Sequence, residues 1–151
     1  MHARRRERTE RGQAVVEFAI TLPLLLTILT AIVALGVVFD QELQLTYGTN
    51  AAAQVLSISR GETTDPCHTT SQAVYSASPA LSQSLLKFTI VLGGHSVAAN
   101  ASNPTCSGSQ SYLVQSQTAM VTATYPCNLT IFGFNPAPKC SLTAQTAALI
   151  Q

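Results

Sequence analysis

Four cysteines, three histidines and seven carboxylates are the side chains here that can bind metal, pair oxidatively or move a proton. Cys67, Cys106, Cys127 and Cys140 are scattered, with no Cys-x-x-Cys. Zinc sites favour closely spaced ligand pairs, so a site built from these thiols with His68 and His95 is the weaker reading. An even number of cysteines, all on one side of a long apolar stretch, fits disulfides in an oxidising compartment. Of three possible connectivities, Cys67–Cys106 with Cys127–Cys140 is expected, because the second pair flanks a turn-rich segment between two predicted strands. No metal and no cofactor are expected.

The other reactive residues do not assemble into a catalytic pattern. His2 lies in a basic leader, and His68 and His95 fall in predicted loops. No Gly-x-Ser-x-Gly elbow is present, and Gly93-Gly94 lacks a following Walker-type lysine. Asp40 and Glu42 border the apolar stretch, Glu62 and Asp65 sit in a turn, and neither pair suggests an acid–base dyad. No enzymatic activity and no small-molecule substrate are expected. Asn100-Ala101-Ser102 and Asn128-Leu129-Thr130 match the glycosylation sequon, a short pattern common by chance. Charged residues make up 10% of the chain, against about 25% in ordinary soluble proteins. With no basic excess after residue 12, nucleic-acid binding is excluded.

These residues depend on the apolar stretch for their placement. Residues 1–12 hold Arg4, Arg5, Arg6, Arg8 and Arg11 against Glu7 and Glu10. From Ala19 to Phe39 there is no charge. As a helix these residues extend about 31 Å, enough to cross a hydrocarbon core of about 30 Å. Arginines before the span keep the N-terminus cytoplasmic and send residues after Asp40 outside. A core helix is the lesser alternative, since the rest of the chain is too small to surround it. A secreted domain released near Gly36, after Ala34-Leu35-Gly36, is another. Against it, the apolar region is longer than a signal peptide needs, and helical sequence continues past the site.

The expected layout is a basic leader (1–12), a long helix (13–60) with the transmembrane segment at about 19–39, and an exported α+β domain (61–151). Within 40–60, Leu43, Tyr47, Ala51, Val55 and Ile58 fall at three- and four-residue steps and share a helical face. Gly61 stops the helix, and Asp65-Pro66 breaks it again. Residues 69–86 are helix-compatible up to an interruption at Pro79. Residues 87–94, "KFTIVLGG", read as a strand, and 95–110 as a polar loop. Residues 111–126 hold one long strand or two shorter ones, 127–140 are turn-rich, and 141–150 form a strand or short helix. The fold class is α+β: a helix on a short antiparallel sheet, stapled by disulfides.

One carboxylate stands out, because Glu17 opens the apolar run. In "RGQAVVEFAITLPLLL" basic residues precede Gly12, Glu17 follows five residues later, then Phe18, then the run with Pro23. This resembles the class III signal of type IV pilins and pseudopilins, the tight-adherence (Tad/Flp) branch, and within it the TadE-like minor pilin family. The resemblance covers residues 11–39; beyond residue 40 it rests on layout. It implies an inner-membrane, single-pass subunit for assembling an adhesive pilus. Its implied partners are other pilin or pseudopilin subunits, the assembly platform and a prepilin peptidase cutting between Gly12 and Gln13. An extended glycine at 12 would give the peptidase access to the backbone. Gln13 then carries the new α-amino group. Glu17, one turn along, offers it a carboxylate in the same or a neighbouring chain, and such a pair is costly to break away from water. A plain membrane-anchored binding domain is the alternative.

Overall fold

The computed structural model describes residues 3–100, 105–127, 129–131 and 133–151. The glycosylation sequons at Asn100 and Asn128 lie wholly or partly outside them. Helix α1 runs unbroken from Ala3 to Ile58, followed by α2 (Pro66–Ala77) and strands β1 (Lys87–Leu92), β2 (His95–Asn100), β3 (Thr118–Pro126) and β4 (Ser141–Leu149). The strands form one antiparallel sheet in the order β2-β1-β3-β4. The second half of α1 packs on β3 and β4 and against α2. The fold is α+β, with two disulfides.

Alternation decides which sheet face is covered. Phe88, Ile90 and Leu92 of β1 and Ala119, Val121, Ala123 and Tyr125 of β3 are buried, as is Ala144 of β4. Period-two burial is the signature of a sheet with one covered face. Leu45, Thr49, Ala52, Ala53 and Leu56 fill that core from α1. The core therefore begins at Leu45, inside the helix. On the face marked by its three- and four-residue spacing, Leu43, Tyr47 and Ile58 are 56%, 62% and 63% exposed. The buried stripe is built from smaller residues, which let α1 approach the sheet and α2 closely. At Gly48 an added Cβ would lie 3.1 Å from Val74 Cγ1 and 3.2 Å from Ser78 Oγ.

The segment 95–110, expected as a loop, begins instead with β2. Gly93 and Gly94 have φ of +53° and +87°, which fits the two-residue hairpin turn that matches strand twist. Leu92 thus faces His95, and β2 pairs with β1 along its length. His95 stacks on Tyr112, with ring centroids 4.1 Å apart. Only the second half of 111–126 is strand, and residues 141–149 are strand rather than helix.

α2 starts where the sequence shows a helix break. Asp65 is its N-cap and accepts from His68 N through Oδ1 at 3.1 Å, with Pro66 in the first turn. Cap and proline are both favoured there. The same Oδ1 accepts Cys106 N at 2.9 Å, joining α2 to the loop that carries its disulfide partner.

Candidate functional site: the leader junction and the anchor helix

Gly12, Gln13, Glu17, Phe18 and Pro23 all lie on α1, and all are exposed. Gln13 and Glu17 are four residues apart, so their side chains leave the same face one above the other. Gly12 is helical, not extended: the helix has already begun at Ala3. A side chain at Gly12 would meet nothing within 4 Å.

The apolar run that follows is exposed almost throughout. Ala19–Phe39 falls in the one stretch among the described residues long and apolar enough to span a membrane, Gly12–Ile58. Its three hydroxyls are all satisfied within the helix. Thr21 Oγ1 donates to the carbonyl of Glu17 at 2.9 Å, Thr27 Oγ1 to that of Pro23 at 2.7 Å, and Thr30 Oγ1 to that of Leu26 at 3.0 Å. In hydrocarbon, where water cannot serve, polar groups must be satisfied internally. Pro23 supplies no N–H, yet α1 is continuous through it.

Residues 12–54 match the family model of the TadE-like proteins. No curated protein and no solved structure matches the chain. The TadE-like segment begins at Gly12 and extends past the apolar run to Gln54, so it includes most of the buried stripe from Leu45 to Leu56. The sequence motif alone carries the resemblance only to residue 39.

The cysteines occupy a separate region. Cys67 bonds Cys106 and Cys127 bonds Cys140. Asp65, Cys67 and Cys106 bring their ligand atoms within 4.8 Å of one another, but a disulfide sulfur is not the thiolate a metal binds. The ring nitrogens of His68 and His95 do not join this group. Asp65, read from sequence only as a helix breaker, joins α2 to that bridge. The signal that could have revealed it is Asp followed by Pro at a helix start.

Proposed function

We propose that the chain is a TadE-like minor pilin or pseudopilin: a non-enzymatic subunit, anchored in the inner membrane by α1, that takes part in assembling a tight-adherence pilus. The match of residues 12–54 to the TadE-like family carries this reading. The arginines before the span support a cytoplasmic N-terminus and an extracytoplasmic sheet. Prepilin peptidase cuts between Gly12 and Gln13. Because α1 is helical there, cleavage needs local unwinding. Glycine favours this by about 1 kcal/mol relative to alanine and puts no side chain in the protease's way. The new ammonium at Gln13, with a reference pKa of about 7.7–8.0, pairs with Glu17 of the same or an adjacent subunit.

N-terminal sequencing of the membrane-extracted chain, with and without the peptidase, tests this. Sequence starting at Gln13 only when the peptidase is present is expected, and Gly12→Val should stay uncut. Glu17→Gln should insert in the membrane but fail to co-purify with its pilus partners. A chain beginning at Met1 in peptidase-positive cells would leave Glu17 as an interfacial charge and favour a plain anchored domain.

A further inference from the structure

The register between α1 and β4 sets the height of the folded unit above the anchor. Thr146 Oγ1 donates to Asn50 Oδ1 at 2.8 Å, and five residues on, Gln151 N donates to Ser57 O at 2.9 Å. α1 and β4 therefore run the same way. Over those five residues of chain α1 advances seven, so five residues back from Thr146 bring Ser141 level with about Leu43. That is about 6 Å along the helix from Phe39, the last residue of the uncharged run. Two bonds join that end independently. Ala80 N donates to Gln44 Oε1 at 3.2 Å, and Ser82 N to Tyr125 Oη at 3.3 Å. Gln44 is about 8 Å along α1 from Phe39, and the headgroup layer is about 5–8 Å thick.

The loop closed by Cys127–Cys140 leaves the sheet at this end. Cys127 N donates to Cys140 O at 3.2 Å, extending the β3–β4 ladder by one pair at the end nearer the apolar run. Ile131 and Phe134 exchange backbone hydrogen bonds, both 2.9 Å, in a tight turn. Phe134 is 71% exposed. Nearby, Leu85 is 48% exposed, and it and Lys87 line a cleft of about 260 Å³ with Thr124, Tyr125 and Ser141. Lys87 and Lys139, both exposed, belong to this end. The third cation after the span, Arg60, is at the far end, bonded to Gln115. The acids at the near level are Asp40, tied to the Gln44 amide, and Glu42, both on α1.

We propose that the Cys127–Cys140 loop is a second membrane contact. Phe134 and Leu85 enter the interfacial layer of the bilayer that holds α1, and Lys87 and Lys139 face lipid phosphates. Apolar side chains at the acyl boundary with lysines at headgroup level are how interfacial segments bind membranes. The disulfide holds the loop in place for this. Such a contact restricts the tilt of the folded unit on its anchor. The proposal rests on α1 being the anchor, and the test separates the two.

The chain contains no tryptophan, so a single one reports its own position. Phe134→Trp, Phe39→Trp and Val114→Trp are compared as full-length chains in vesicles containing phosphatidylglycerol, with and without brominated acyl chains. Val114 lies at the opposite end of the sheet, bonded to Gln117. Phe134→Trp should show blue-shifted emission quenched by bromine, less deeply than Phe39→Trp, while Val114→Trp stays unquenched. Adding Lys87→Glu and Lys139→Glu should reduce the quenching at 134. Unquenched, water-like emission at 134 with quenching at 39 overturns the loop contact and spares the anchor. No quenching at 39 overturns both. A blue shift at 134 without bromine quenching assigns the loop to a protein neighbour and also overturns the proposal.

Discussion

Gly48 lies where α2 crowds α1. An added Cβ there would lie 3.1 Å from Val74 Cγ1. Gly48→Ala sets gained helix propensity against this contact. Gly48→Leu has no room and should destabilise the folded unit by about 1–3 kcal/mol, read as a lowered thermal midpoint in detergent. Tyr75 makes the opposite case. Its hydroxyl is buried without a hydrogen-bond partner among the described residues, and burial raises its pKa above the usual phenol value of 10.0. Below pH 10 the phenol is protonated in both folded and unfolded states. Above it the unfolded chain loses the proton first, so stability falls as pH rises through the folded pKa. Tyr75→Phe should remove this component of the alkaline loss and be neutral or stabilising near pH 7, because an unmade buried hydrogen bond is eliminated. Melting curves at pH 7 and pH 11 for the two proteins check both parts.

At the level of elements, the disulfides staple pieces that have little core of their own. Cys67–Cys106 ties α2 to the loop before β3, and Cys127–Cys140 closes the loop between β3 and β4; they span sequence separations of 39 and 13 residues. In the chain-entropy description, removing them should cost about 4 and about 3 kcal/mol respectively. Paired Cys→Ser variants measured by denaturant unfolding should rank in that order. This connectivity was legible in the sequence because a short turn-rich segment between two strands brings its ends together. The β2 strand was not: "HSVAAN" has little apolar weight, and the two glycines at positive φ that return it onto β1 read equally well as a loop.

The whole molecule is an amphiphile with a bare helix at one end and a folded unit at the other. Exposed Val, Leu, Ile and Phe from Val15 to Phe39 far exceed the few hundred Å² of contiguous apolar surface that a soluble monomer carries. The expected arrangement is a cytoplasmic N-terminus with residues after Asp40 outside. Protease added to intact spheroplasts should then digest the sheet and spare a tag placed at residue 1 of the uncut precursor. A protected sheet would contradict that topology.

The sequence by itself determined the apolar run, its length and its motif, because an uncharged stretch and the spacing of Gly12, Glu17, Phe18 and Pro23 are local properties of the chain. It also determined an α+β class and strands at β1 and β3, where period-two burial follows from alternating side chains. Only the tertiary structure decided which face of α1 meets the sheet. Leu43, Tyr47 and Ile58 share one face and are exposed, while Leu45, Gly48, Thr49, Ala52 and Leu56 are buried. The sheet and a second helix both approach α1, and close packing there favours small side chains. That the Cys127–Cys140 loop leaves the sheet at the end nearer the apolar run likewise follows from the register of β4 on α1, which joins residues about a hundred positions apart.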